Sequence, residues 1–251
     1  MNTKNRIIRK NAFRFLIVIL IQIIATNGVF AQTMPLYKNS RAPINERVKD
    51  LLGRMTPTEK FWQLFMIPGD IKPGDAPKYK DGLFGFQVSA ASAGGEGAQQ
   101  MLQYNATETA VSLAKKVNTI QRFFMDSTRL GIPMLPFDEA LHGLVRQGST
   151  IFPQSIGLAA TFNTSTMEAI AGAIAKESKI RGIRQILSPV INIATDVRWG
   201  RTEETYGEDP FLSSKMGVAY MKTLEDENVI ATPKHFVANV GDGGRDSYPI
   251  D

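Results

Sequence analysis

A lysine and a histidine stand side by side after a short apolar run late in the sequence. The run is Val229-Ile230-Ala231, and Lys234 and His235 follow it. An ammonium and an imidazole can both donate hydrogen bonds to sugar hydroxyls or to a carboxylate. A lysine at a strand end is also often a solvated rim residue, and a lone histidine is often a core residue. These two residues alone leave both interpretations open.

The segment 196–210 concentrates charged and aromatic side chains. It holds five acids, two arginines and two aromatic residues in fifteen positions, which favours a functional loop. Arg201 has a planar fork of donors that fits vicinal hydroxyls, and Glu204 is placed to hold it by a charge-assisted pair. Trp199 is expected to pack against the loop or to line the site. Asp209, which precedes a proline, predicts a helix N-cap.

Asp138 ends the apolar run 134–137 and begins another polar stretch. A carboxylate fixed at an inward-facing strand end can accept hydrogen bonds from two adjacent sugar hydroxyls. Aspartate is equally suited to cap a short helix over 139–145. Position alone does not decide between the two roles.

Composition excludes several kinds of site. The 251 residues are 43% hydrophobic and 21% charged and include no cysteine, which is typical of a globular domain and excludes thiolate catalysis and cysteine-ligated metals. His142 and His235 are the only histidines, so an all-histidine metal site is not expected either. We predict neither a metal nor an organic cofactor.

The first 31 residues predict a secretory signal peptide. They carry five basic residues and no acid, followed by the apolar run 15–24 and small residues before Gln32; that run is roughly half of the ~20 residues a membrane span needs. Cleavage after Ala31 would leave a periplasmic or secreted chain with no stable membrane anchor. Because the segment contains the whole net charge of +5, nucleic acid is not a predicted partner.

Hydrophobic spacing predicts an alternation of helices and strands. Helices are predicted over 44–55, from Thr56 onward, and over 108–130, 165–181 and 210–227, with strands at 83–88, 134–137, 186–190 and 229–231. Polar residues follow the strands, and no Gly-rich phosphate loop separates a strand from a helix, so an α/β barrel is favoured over a doubly wound sheet. A complete barrel has eight strands in about 250 residues. The predicted fold is therefore α/β, a TIM-like (β/α)₈ barrel of which only the N-terminal portion is present.

Four segments in order resemble glycoside hydrolase family 3, in particular its β-glucosidase branch. They are FDEALHG at 137–143, TIFPQSIGLAATFN at 150–163, VRWGRTEETYGEDP at 197–210 and KHFVANVGDGGRDS at 234–247. The resemblance implies that 32–251 forms the incomplete N-terminal barrel domain of that family. It also implies a substrate with a terminal, non-reducing β-D-glucosyl residue, in an oligosaccharide or glycoside.

The resemblance also implies roles for particular residues. Asp138 looks like the carboxylate that binds the −1 sugar, His142 and Glu204 look like supporting residues, and the further sugar-binding positions are Arg201, Lys234, His235 and Arg245. The family is retaining, and its nucleophile and acid/base carboxylates are expected beyond Asp251. The chain itself is then expected to supply no catalytic residue.

Alternatives remain beside the β-glucosidase interpretation. A β-xylosidase or another family 3 exo-glycosidase fits the same motifs, and the chain alone would be an inactive truncated fragment. An N-acetylglucosaminidase of the family would carry a His-Gly-Asp arrangement in the loop after Lys234 and His235, whereas 237–244 contains no histidine. A Schiff base on Lys234 is chemically possible at a barrel strand end, but the four motifs argue against it.

Overall fold

This computed structural model describes residues 34–69, 71, 74–88, 108–236 and 239. They belong to two units, Met1–Arg54 and Met55–Asp251. The first unit contains a 3-10 turn at Leu36–Lys38 and the helix α1, Ile44–Arg54. The predicted helix over 44–55 is confirmed. The predicted signal peptide lies outside the described residues.

The second unit begins with helix α2, Pro57–Trp62, whose start is fixed by a capping box. The Thr56 hydroxyl accepts a hydrogen bond from the Glu59 backbone N–H at 3.1 Å, and the Glu59 carboxylate accepts one from the Thr56 N–H at 2.8 Å. Two otherwise unsatisfied N–H groups are thereby satisfied. Glu59 is also paired with Arg129 at 2.5 Å, and this contact lowers the pKa of the Glu59 carboxyl.

Five parallel strands form one sheet in chain order. They are β1 (Met66–Pro68), β2 (Gly85–Gln87), β3 (Leu135–Asp138), β4 (Gln185–Ile186) and β5 (Ile230–Ala231). The register pairs Gly85 with Leu135, Phe137 with Gln185 and Ile186 with Ala231. Parallel strands that neighbour one another in chain order are the arrangement of a (β/α)₈ barrel, whereas a doubly wound sheet reverses its strand order. The described sheet therefore matches part of the predicted barrel.

Helices connect the later strands. They are α3 (Ala110–Ser127), α4 (Ser155–Ala159), α5 (Thr164–Ile180) and α6 (Pro210–Asp226). The buried face of α3 consists of Leu113, Val117, Ile120 and Phe124, and α5 packs against α6. Removing these apolar faces from water is the main stabilising contribution.

Two predicted elements differ from the structure. The helix predicted from Thr56 was expected to carry Leu64 and Phe65, but α2 ends at Trp62, and Met66–Pro68 forms the unpredicted strand β1, which pairs with β2. The strand expected at 186–190 is Gln185–Ile186 alone. Beyond it the chain stays near the segment after β5 through single contacts: Thr232 N–H donates to the Ser188 carbonyl at 2.9 Å, and Ile191 N–H donates to the Lys234 carbonyl at 3.0 Å.

Candidate functional site

The carboxyl ends of β3, β4 and β5 lead into the polar segments that the sequence singled out. Asp138 is the last residue of β3, Asn192 follows β4, and Lys234 follows β5. Because the strands are parallel and adjacent, these ends meet at one edge of the sheet. The site is built at this edge.

Lys234 and Glu139 form an ion pair at the centre of this edge. The Lys234 Nζ lies 3.0 and 2.9 Å from the two Glu139 carboxylate oxygens. The side chains are 15% and 25% exposed, so the pair is shielded from bulk water but reachable from it. Burial raises the pKa of the Glu139 carboxyl above its usual value, while Lys234 opposes the rise and the nearby Asp138 and Glu204 carboxylates add to it. Lys234 is thus the group that favours a charged Glu139.

Asp138 lies beneath this pair and has no exposed surface. The Arg146 guanidinium donates to both of its oxygens, at 3.0 and 2.8 Å, and the Glu139 backbone N–H donates to Oδ1 at 2.9 Å. The structure leaves Asp138 no exposed surface and leaves Glu139 partly exposed, so Glu139 is the accessible carboxylate and the sugar contact expected of Asp138 stays a prediction. The alternative helix cap is wrong, since 139–154 contains no helix.

His235 is held between Arg201 and Asn192. The Arg201 Nη1 lies 3.2 Å from Nε2 of the imidazole, and the Asn192 Oδ1 lies 2.8 Å from Nδ1. A guanidinium only donates, so Nε2 accepts and the neutral ring carries its proton on Nδ1, which donates to the amide oxygen. Asn192 and Arg201 thereby fix both the ring orientation and the tautomer.

Arg201 is fixed in turn by the loop that carries it. Its Nε and Nη2 each lie 2.5 Å from an oxygen of Glu204, which confirms the predicted pair. The Arg201 guanidinium carbon lies 5.9 Å from the centre of the Trp199 ring. Because that ring is buried, Trp199 packs against the loop, which is the first of the two roles expected of it. The Asp209 carboxylate accepts from the N–H groups of Phe211 and Leu212, confirming the predicted N-cap of α6.

The two charged clusters belong to the same site. Glu204 is close enough to Glu139 to raise the pKa of its carboxyl, and Lys234 and His235 are consecutive residues. The structure therefore brings together four of the predicted site residues: Arg201, Glu204, Lys234 and His235. Arg245 lies outside the described residues, so its assignment to the site stays a prediction.

His142 has a structural contact some distance along the loop after β3. Its Nδ1 donates to the Phe152 carbonyl at 2.9 Å, which closes the loop between β3 and α4. The supporting role predicted for His142 remains a prediction, and this contact is consistent with support of the loop and not of the sugar.

Three residues at the site were not singled out from the sequence. Glu139 follows Asp138 directly, and only the direction of the side chains distinguishes the exposed carboxylate from the buried one. Asn192 could have been found as the first polar side chain after the strand predicted at 186–190. Arg146 carries no local signal, because its partner is defined by the folding of an irregular loop.

The described residues contain neither a metal-binding cluster nor a membrane-spanning helix. Among these residues, no group of three or more His, Asp or Glu side chains is arranged to hold a metal ion. No helix within them is long and apolar enough to cross a membrane.

Comparison with known proteins gives consistent matches. A family model described as "Glycosyl hydrolase family 3 N terminal domain" matches residues 59–250. A β-xylosidase of Formosa agariphila is 38% identical over 141 residues, covering 51% of this chain and 20% of that protein. A probable β-glucosidase C of Aspergillus oryzae is 33% identical over 219 residues, covering 80% of this chain and 33% of that protein.

A solved structure has the same fold. The structure of a β-glucosidase from Erythrobacter marinus superimposes with a TM-score of 0.67 at 28% identity, covering 80% of this chain and 26% of that one. The chain thus spans a third or less of the length of these relatives.

Proposed function

Because the chain belongs to glycoside hydrolase family 3, through its N-terminal domain, we propose that its site binds a terminal non-reducing β-D-glucosyl residue. The protein is then the N-terminal part of a retaining β-glycosidase that hydrolyses β-linked oligosaccharides or glycosides. The observation that carries the proposal is the Lys234–Glu139 pair beside His235 and Arg201 at the carboxyl edge of the sheet.

These side chains suit the chemistry of a sugar ring. A pyranose presents adjacent hydroxyls, each of which donates one hydrogen bond and accepts others. The Glu139 carboxylate offers acceptors, and the Lys234 ammonium and the Arg201 guanidinium offer charged donors, which form stronger hydrogen bonds than neutral groups. Because Lys234 and Glu139 already neutralise each other, a neutral sugar meets a site of little net charge.

Hydrolysis with retention needs a nucleophilic carboxylate and an acid/base group about 5 Å apart. Glu139 and Glu204 are each ion-paired with a cation, Lys234 and Arg201, and this suits binding and positioning. We therefore propose that the nucleophile and the acid/base come from polypeptide beyond Asp251.

A β-xylosidase is the second candidate. It is supported by the 38% identity to the Formosa agariphila enzyme over the half of the chain that matches. Glucose and xylose differ by the hydroxymethyl group at C5, so comparing the two aryl glycosides measures which sugar the site accepts.

The remaining parts of the proposal concern the setting of the enzyme. We propose a location in the periplasm or outside the cell, supported by the signal peptide predicted over 1–31. The chemistry needs carboxylates and water, and the proposal therefore includes no cofactor. The proposed partner is the glycoside substrate.

The test is hydrolysis of p-nitrophenyl β-D-glucoside and p-nitrophenyl β-D-xyloside by two purified proteins. One is residues 32–251, and the other continues through the coding sequence that follows Asp251. Activity of the longer protein alone, with the glucoside preferred, is expected. A preference for the xyloside would favour the second candidate. Equal activity of the shorter chain would contradict the placement of the catalytic carboxylates beyond Asp251.

A further inference from the structure

A buried ion pair adjoins Glu139, the partly exposed carboxylate of the site. The side chains of Arg146 and Asp138 are 2% and 0% exposed, and the guanidinium contacts both carboxylate oxygens. Removing two charges from water costs more than such a pair commonly returns, so stability alone gives little reason for its presence. A requirement for fixed geometry gives a better one.

Two hydrogen bonds hold the main chain on either side of Glu139, and one of them comes from the buried pair. The Asp138 Oδ1 that faces Arg146 also accepts from the Glu139 backbone N–H at 2.9 Å, and the Glu139 side chain then reaches Lys234. On the other side, the buried Tyr220 hydroxyl donates to the carbonyl of Ala140 at 2.7 Å. The main chain at Glu139 is thus held before and after the residue.

The loop that carries Arg146 is itself tied down. The Thr150 backbone N–H and hydroxyl donate to the Glu177 carboxylate of α5, at 3.0 and 2.8 Å. The buried Arg181 donates to the Gln147 carbonyl at 3.0 Å. These contacts on both sides of Gly148 fix the loop, so Arg146 approaches Asp138 from a rigid support.

We propose that Arg146 is a positioning residue for the sugar site. By holding the Asp138 carboxylate, it fixes the main chain at Glu139 and so aligns the Glu139–Lys234 pair. It contacts no substrate. The effect of Arg146 on sugar binding and hydrolysis rests on the proposed function, whereas its effect on the Glu139–Lys234 ion pair does not.

The effect on the ion pair is measured by acetylation of lysine side chains, resolved by residue with mass spectrometry. The variants are Arg146→Lys, Glu139→Gln and both together. Arg146→Lys keeps the charge but removes the planar guanidinium, whose Nη2 contacts both Asp138 oxygens while its Nη1 donates to the Val145 carbonyl. We expect each single variant to speed acetylation of Lys234 about two- to fivefold, since loss of an ion pair exposes the amine. Lys234 should be acetylated at the same rate in the double variant as in Glu139→Gln alone.

A matched control removes a comparable pair elsewhere. Arg129→Lys disturbs the contact with the buried Glu59 and should leave the acetylation of Lys234 unchanged. Acetylation at the wild-type rate in Arg146→Lys, or an effect as large in Arg129→Lys, would overturn the proposal.

If Arg146→Lys does not fold, a second variant tests the same role. Arg146→Met with Asp138→Leu replaces the ion pair by apolar side chains, which often preserves stability, but leucine cannot accept from the Glu139 N–H. Rapid acetylation of Lys234 in this folded variant supports the proposal, and wild-type protection of Lys234 overturns it.

Kinetics of the longer protein give the second readout. Arg146→Lys should raise KM for the β-glucoside by a factor several times larger than the factor by which it lowers kcat. When it is added to Glu139→Gln, it should raise KM no further. Independent, multiplying effects would show that Arg146 does not act through Glu139 and would overturn the proposal. If the wild-type protein cleaves neither glycoside, the proposed function fails, and the acetylation result still decides the role of Arg146.

Discussion

Replacing Gly143 with alanine should destabilise the protein far more than the same change at Gly148, in the same loop. Gly143 has a φ of 120°, and a Cβ there would lie 2.2 Å from the Thr150 carbonyl oxygen. Gly148 has a φ of 71°, with no atom within 4 Å of the added Cβ. Both changes therefore strain the backbone, but only Gly143→Ala also forces two main-chain segments apart.

The two contributions give the expected magnitudes. Backbone strain at a conformation reserved for glycine costs about 1–3 kcal/mol, and forcing an extra methyl into a closed contact adds about 1–3 kcal/mol. Gly143→Ala should therefore lower the free energy of unfolding by roughly 2–6 kcal/mol. Gly148→Ala should lower it by about 1–2 kcal/mol, the cost of a left-handed conformation alone.

Urea unfolding followed by far-UV circular dichroism measures both variants against the wild type. The difference between them should be about 1–3 kcal/mol, the contribution of the closed contact, with similar slopes against denaturant. Equal losses would refute the closure of the loop at Gly143 and Thr150. Because this loop carries Arg146, Gly143→Ala should also raise the acetylation rate of Lys234, whereas Gly148→Ala should raise it less.

The remaining predictions concern helix capping and pH. Asp209→Ala should lower the free energy of unfolding by about 1 kcal/mol, because it removes the cap of α6. The control Asp226→Ala removes only an exposed pair with Lys222 and should change the free energy of unfolding by less than about 0.5 kcal/mol. Equal urea midpoints for the two variants would contradict this prediction. Glu139 has a raised pKa in the folded protein, so its contribution to stability is present below the usual pKa of 4.5 and is lost as pH rises through the higher folded value. The stability of wild type relative to Glu139→Gln, measured by urea unfolding, should therefore fall as pH rises above 4.5, and a rise would contradict the direction of the shift.

Local signals in the sequence predicted the helix starts well. The Thr56 and Glu59 capping box and the Asp209 cap need only residues two or three positions apart, so the pattern and the contact coincide. Strand β1 was missed because three residues ended by a proline carry no periodicity of their own. Its identity as a strand comes from pairing with β2.

The candidate site was predicted in part for a comparable reason. The position of Lys234 and His235 after a strand, and the pairing of Arg201 with Glu204, follow from order along the chain. The choice between Asp138 and Glu139 does not, since it depends on Arg146 folding back to bury one carboxylate. That contact forms within an irregular loop, where neither helical nor strand spacing constrains the side chains.

The most direct test of the sugar site compares Lys234→Met with Lys222→Met in the longer protein. Both changes remove a lysine that is ion-paired with a carboxylate, but only Lys234 lies at the edge where β5 ends. Hydrolysis of p-nitrophenyl β-D-glucoside should fall about 10- to 100-fold in kcat/KM for Lys234→Met, the loss of one charged hydrogen bond, and should be unchanged for Lys222→Met. Wild-type kinetics in a folded Lys234→Met variant would contradict the assignment of this edge as the site that binds the sugar.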